Sequence, residues 1–216
     1  MNSHTILYYT ANLIPENFAS NVRKHLLEIS GGTPIISISH KPIDLGENIC
    51  VEGFPVCPYS VYRQILIGAK KANSKYVICC EDDALYVLEH FNFIPSDDMF
   101  CYNINRWSVT RDIFFYRERR LMSMCVSNRK LMIDTLEKRF EKYPEQVPHF
   151  GEPGRFERIL KLPEVKIGSF KTEIPTITFN HRHNMGRKRN RTESDKIVDK
   201  LPHWGTAKEL WKKIYG

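Results

Sequence analysis

Three short apolar runs, HTILYYT at 4–10, TPIISISH at 33–40 and KYVICC at 75–80, alternate with two amphipathic segments inside the first 80 residues. The runs are rich in β-branched and aromatic residues and are short enough to be buried strands. In the first intervening segment, ENFASNVRKHLLEIS, Phe18, Val22, Leu26 and Ile29 recur at three- and four-residue spacing, and Gly31 and Gly32 stop the helix. In the second, YSVYRQILIGAKKAN, the inward positions are Val61, Ile65, Gly68, Ala69 and Ala72. The small residues among them let that helix lie close to a sheet. Strand, helix, strand, helix, strand predicts an α/β fold with a mostly parallel sheet flanked by helices, in which ligands bind beyond the carboxyl ends of the strands.

The rest of the chain is less regular. A Pro- and Gly-containing connection spans 41–58. MFCYNINRW (99–107) and RDIFFYRE (111–118) read as strands forming a hairpin, and 123–143 as a strand or turn feeding a helix that buries Leu131, Leu136 and Phe140. PHFGEPGRFERILK opens as a Gly/Pro loop into a short helix, IPTITF is a strand running into a basic loop, and GTAKELWKKIYG is a last helix capped by Thr206. At 216 residues, 42% of them hydrophobic, the chain holds enough apolar material for one core, so 1–216 is expected to be one domain. Its six cysteines form no CxxC pair and no zinc spacing, which predicts reduced, mostly buried thiols. No apolar run reaches membrane-span length and no basic segment precedes the first strand, so the expected location is the cytoplasm.

At the carboxyl end of the third strand stand Glu81, Asp82 and Asp83 in succession. Adjacent carboxylates repel one another, and leaving them at the end of a buried strand is costly without a cation or water. Oxygen ligands of this kind suit Mg²⁺ or Mn²⁺, which take one or two protein carboxylates and fill the remaining positions from substrate phosphate. Alternation along an extended segment sends Glu81 and Asp83 to one side and Asp82 to the other, where it would hold a loop or a basic side chain. A solvated turn or a helix N-terminus would use the same acids. A second cluster, NHRHNMGRKRNR, brings His181, Arg182, His183, Arg187, Lys188 and Arg189 without an intervening acid. A histidine could complete a metal's coordination and the basic residues could neutralise a diphosphate, although a solvated basic loop has the same composition.

ILYYTAN, then YRQILIGAKKANSKYVICCEDDALY, then HRHN near the C-terminus together resemble the metal-dependent GT-A glycosyltransferases, over roughly residues 4–86 and 175–190. The resemblance implies a nucleotide-sugar-binding half at 1–98 and an acceptor half at 99–216 that also carries the donor-phosphate loop. It implies that Thr10 and Asn12 line a nucleoside pocket and that Arg63 and Gln64 approach the donor. Glu81 would stand where the family's first Asp contacts the ribose, and Asp83 where the last binds Mn²⁺ or Mg²⁺. His181 or His183 would take the family's late histidine, with HxxN spacing to Asn184 favouring His181. Asp82, Arg182, Arg187 and Lys188 complete the donor set. For an inverting transfer, Glu152 is the candidate base, with Asp112, Asp97 and Asp98 behind it.

A formal charge of +7 and interleaved arginines and aromatics at 106–120 favour a polyanionic acceptor, with Arg106, Trp107 and Arg155 as acceptor-binding candidates. A solvated surface over a hydrophobic strand fits the same pattern. The chain is also similar to the compact phage glycosyltransferases that decorate hydroxymethylated pyrimidines in DNA, which implies a UDP-sugar donor and a DNA acceptor whose base is flipped out. The rivals are a GT-A enzyme acting on a protein, lipid-linked or saccharide acceptor, and a non-catalytic nucleic-acid-binding module.

Overall fold

The computed structural model describes residues 3–145, 151–181 and 196–216. In chain order its elements are β1 His4–Thr10, α1 Glu16–Ile29, β2 Ile35–Ser39, β3 Glu47–Cys50, α2 Pro58–Lys71, β4 Tyr76–Glu81 and β5 Ala84–Leu85. Then come α3 Leu88–Asn92, β6 Met99–Asn103, β7 Arg106–Val109, β8 Phe114–Tyr116, a 3₁₀ turn at Met122–Met124, β9 Cys125–Asn128 and α4 Arg129–Lys142. The chain closes with β10 Lys166–Phe170, β11 Thr176–Phe179, β12 Lys196–Val198, β13 Lys200–Leu201, β14 Gly205–Thr206 and α5 Ala207–Tyr215.

The main sheet has seven strands in the order β10-β6-β9-β4-β1-β2-β3. All its pairings are parallel except the two made by β9. This is the α/β architecture with a mostly parallel sheet that the alternation predicts. β1 lies between β4 and β2 and every one of its seven residues is buried, which is why it reads as a continuous apolar run. α2 packs against the sheet through Gly68, where an added Cβ would come within 2.6 Å of Ile38 Cδ1 and 3.1 Å of Leu7 Cδ2. The small residues on its inner face are therefore what brings helix and sheet into contact.

The structure departs from the sequence reading in the middle of the chain. MFCYNINRW is two strands rather than one, because Asn103 to Asn105 turn the chain out of the main sheet. The side chain of Asn103 accepts from the amide of Asn105, and its own amide donates to Thr172 Oγ1. β7 then enters a second sheet, β12-β8-β7-β11-β5, where it does form the expected hairpin with β8. The described part of PHFGEPGRFERILK is a series of turns, not a helix, and the connection at 41–58 contains edge strand β3. Thr206 caps α5 in a reciprocal capping box with Glu209. Among the described residues all six cysteines are free, and four of them are buried. No described helix is long and apolar enough to cross a membrane.

Candidate active site

Thr10 of β1 pairs in register with Ser39 of β2, and Tyr9 with Glu81 of β4, so the carboxyl ends of the central strands form one ledge. A cleft of about 420 Å³ opens over it, between α2 on one side and the second sheet on the other. β9 pairs with β4 only from Tyr76 to Ile78, which leaves the end of β4 without that partner. The amide of Glu81 instead donates to the Tyr86 hydroxyl at 3.0 Å, and that hydroxyl donates to the carbonyl of Ser123. One buried tyrosine thus fixes the start of the acidic turn.

The three carboxylates have different surroundings. Glu81 faces the Tyr9 hydroxyl and Ser123, and burial, with the charges of Asp83 and Asp82, pushes its pKa up to about 8. Asp82 accepts a short hydrogen bond from Thr10 Oγ1; burial and then the charge of Asp83 raise it to about 7. Thr10 in turn accepts from the Asn12 amide at 2.8 Å, so Asp82 holds the β1 loop; residues 82–83 form a turn and not an extended segment, so strand alternation does not apply and all three carboxylates line the one cleft. Asp83 immediately precedes β5, the short strand that joins the second sheet, and its carbonyl accepts from the amide of Phe179 at 2.8 Å. β5 pairs antiparallel with β11, Ala84 opposite Thr178, so the chain that leaves β11 passes directly beside the acidic turn. Two residues beyond Phe179, His181 Nε2 stands 3.5 Å from Asp83 Oδ2. Residues 98 positions apart in the chain meet in the lining of the cleft because of that pairing.

The positive wall comes from the second sheet. Arg106 and Ser108 on β7 and Thr178 on β11 face the cleft, while Trp107 and Val109 face the core against α1 and α5. Arg106 Nη1 donates to Ser108 and Thr178, to the latter at 2.8 Å. No ion pair within salt-bridge distance joins this guanidinium to a described carboxylate; burial lowers its pKa to about 10, against the opposing field of Asp83. Arg117 and Arg119, on the segment after β8, line the same cleft. A second cavity of about 450 Å³ shares those two arginines and contains Glu152 and Arg155. Burial raises the Glu152 carboxyl above the usual carboxylate range.

Of the residues singled out in the sequence, the structure brings Thr10, Gln64, Glu81, Asp82, Asp83, Arg106 and His181 to one cleft, and Glu152 and Arg155 to the adjoining cavity. Gln64 lines the cleft but spends its amide on the carbonyls of Thr10 and Ile38, both at 2.9 Å, tying α2 to the ledge. Six candidates line neither space: Asn12, Arg63, Trp107 and the lesser base candidates Asp112, Asp97 and Asp98, of which Asp97 pairs with Lys75 and Asp98 with Lys166. Asn12, at φ 54°, uses its side chain to accept from the amide of Lys41. Arg63 lies on the outer face of α2 between the rings of Phe54 and Tyr59. Trp107 is a core residue because the pleat turns its neighbours, not it, to the cleft. Arg182, His183, Asn184, Arg187, Lys188 and Arg189 lie outside the described residues.

Sequence reasoning missed Arg117, Arg119, Ser108, Ser123, Thr178 and His40, all on the cleft wall. The i, i+2 spacing of Arg117 and Arg119 in YRERR was a usable sign for two arginines on one side of an extended segment. The hydroxyls carried no such sign. Among the described residues no three His, Cys, Asp or Glu side chains are grouped closely enough to hold a metal ion by themselves. Asp83 and His181 nevertheless offer an oxygen and a nitrogen donor at one point.

No protein-family model and no curated protein matches the sequence. Several solved structures have a similar backbone. A glycosyltransferase involved in glycosylation of the major capsid of PBCV-1 is 10% identical over 82% of this chain and 92% of its own, with a TM-score of 0.49. An S. aureus TarS fragment in complex with UDP-GlcNAc is 8% identical over 83% of this chain and 59% of its own, also with a TM-score of 0.49. A nucleotidyl transferase from Methanothermobacter is 10% identical over 78% of this chain and 88% of its own, with a TM-score of 0.45.

Proposed function

We propose that the chain is a glycosyltransferase that moves a sugar from a nucleotide sugar, a UDP-sugar first among the candidates, to an acceptor hydroxyl. The observation that carries this reading is the meeting of Asp83 and His181, 3.5 Å apart, at the carboxyl edge of a mostly parallel sheet and opposite the buried Arg106. An acidic pocket beside a basic wall suits a ligand that is itself a polyanion bound with a cation, as a nucleoside diphosphate is. Asp83 and His181 would hold a Mn²⁺ or Mg²⁺ ion, which when bound supplies Lewis-acid stabilisation of charge on the leaving diphosphate. Arg106, already oriented by Ser108 and Thr178, shares that charge with Arg117 and Arg119 on the same cleft wall. Glu81 and the Thr10–Asp82 pair form the floor against which the nucleoside half of the donor rests.

Glu152 in the adjoining cavity takes the proton from the acceptor hydroxyl in an inverting transfer. The acceptor oxygen then bonds to the anomeric carbon while the bond from that carbon to the diphosphate oxygen breaks, its electron pair leaving with the nucleoside diphosphate. Residues 1–98 supply most of the donor floor and 99–216 most of the acceptor side, within one domain. A 5-hydroxymethylated pyrimidine in DNA is the acceptor we favour, supported by the +7 charge and by the arginines of 117–120.

The test is a panel of nucleotide sugars incubated with Mn²⁺ or Mg²⁺, with release of nucleoside diphosphate followed in wild type and Asp83→Ala. Wild type should hydrolyse one donor slowly, and Asp83→Ala should be about 100-fold slower or worse. If no donor is bound or hydrolysed, the transferase reading fails. Duplex DNA with and without 5-hydroxymethylcytosine, added with the active donor and analysed by mass spectrometry, tests the acceptor; no mass gain on the modified duplex removes that assignment.

A further inference from the structure

The second cavity is lined by Arg117, Arg119, Arg120 and Arg155 against only two acids, Glu118 and Glu152. Its apolar floor is Tyr102, Ile104 and Ile167, and its lining includes no Asn, Gln or Trp among the described residues. A neutral saccharide is usually held by carboxylates, amides and flat aromatic faces, few of which are available here. Guanidinium groups match phosphate oxygens in charge and in fork geometry.

Two of the arginines are held in place. Arg120 Nε donates to Ser169 Oγ on β10 at 3.0 Å, and the Arg155 guanidinium lies 5.3 Å from the centre of the Phe156 ring with its Nη1 3.8 Å from Glu152 Oε2. The loop that bears Glu152 and Arg155 is anchored on either side of Glu152, by Arg139 donating to the carbonyl of Gly151 at 2.8 Å and by Tyr102 donating to the carbonyl of Pro153 at 2.8 Å. Arg117 and Arg119 border both cavities, so they can screen a second phosphate from the diphosphate next door.

We propose that this cavity binds the acceptor through a phosphate group carried near the hydroxyl it offers. The inference rests on the transferase reading for the word acceptor, but the phosphate site stands on its own lining. The phosphate could belong to a phosphodiester strand or to a small phosphomonoester, and the probes separate these sources. A fluorescein-labelled oligothymidylate and thymidine 5′-monophosphate are titrated into the full-length protein in the presence of saturating UDP and Mn²⁺, so that the donor cleft is filled. At least one should bind, with affinity falling as salt rises. Charge reversal at Arg120→Glu together with Arg155→Glu should weaken that binding about tenfold or more.

Binding of the oligonucleotide alone identifies a diester source and binding of the monophosphate alone a monoester source; both support the site. Failure of both probes, or an unchanged affinity in the folded double variant, overturns it. UDP binding by wild type is measured in the same series: its loss would count against the transferase reading, whereas UDP binding without phosphate-probe binding counts against this inference alone. Thermal unfolding of the double variant, cooperative and close to the wild-type midpoint, guards against a variant that simply misfolds.

Discussion

Arg139 and Glu157 form an ion pair with side chains 0% and 2% exposed, and the loop carrying Glu152 is built on it. The guanidinium donates through Nε to Glu157 Oε1 at 2.7 Å, through Nη2 to the same oxygen, and through Nη1 to the carbonyl of Gly151. The other Glu157 oxygen accepts from the amide of Gly154, and the ring of Tyr62 lies 5.4 Å from the guanidinium carbon. Glu157→Leu leaves a buried cation with one carbonyl partner and an unpaired Gly154 amide. Breaking a buried pair in this way costs about 3–5 kcal/mol. Arg139→Met with Glu157→Leu removes both charges and leaves only the Gly151 carbonyl and the Gly154 amide unsatisfied, at about 1–2 kcal/mol each. The double variant should therefore be about 1 kcal/mol more stable than Glu157→Leu alone. With a urea dependence of about 2.5 kcal/mol per molar, the single variant's midpoint falls by about 1.5 M and the double variant recovers roughly a quarter of that. Urea unfolding followed by circular dichroism reads both. A double variant no more stable than the single would show that hydrogen bonding, not the desolvated charge, dominates the pair.

Two other perturbations have signs set by the structure. His90 is fully buried beside Tyr86 and Phe170, and burial lowers its pKa to about 3, so it is neutral in the fold but protonates in the unfolded chain; its contribution is complete above about pH 6.5 and is lost as pH falls toward 3. Between pH 7 and 4.5 that loss is about 2.5 kcal/mol, and His90→Phe should flatten the dependence of the thermal midpoint on pH by this amount, whereas parallel curves would contradict the assignment. At Gly68 an added Cβ would meet Ile38 and Leu7, so Gly68→Ala should cost about 1–3 kcal/mol in thermal unfolding despite alanine's better helix propensity; a rise in stability would mean that α2 can lift off the sheet at no cost.

What the sequence made legible follows from the range of the interactions involved. β1, α1, β2, α2 and β4 are each specified by periodicity within a dozen or so residues, and they were readable with their order and the parallel pairing that the order implies. The acidic turn was readable for the same reason, since three carboxylates after an apolar strand are conspicuous without any partner. The split of MFCYNINRW between two sheets was not readable, because it depends on Asn103 bonding to Thr172 and Thr176, some seventy residues away. That split decides the site. Had β6 run on unbroken, Arg106 and Ser108 would have stayed in the main sheet, and β11 would have lacked the neighbour that supplies the basic wall. Residue type makes Trp107 an acceptor-binding candidate and a core residue alike, and the pleat of β7 decides between them by giving the cleft to Arg106 and Ser108 and turning the indole inward. The approach of His181 to Asp83 has the same origin. It requires only that β5, two residues long, pair with β11, and an element that short has no periodicity to read. The chemistry of the cleft is thus carried by residues that local patterns reveal, while their meeting is carried by the second sheet, whose strands are short and joined across the chain.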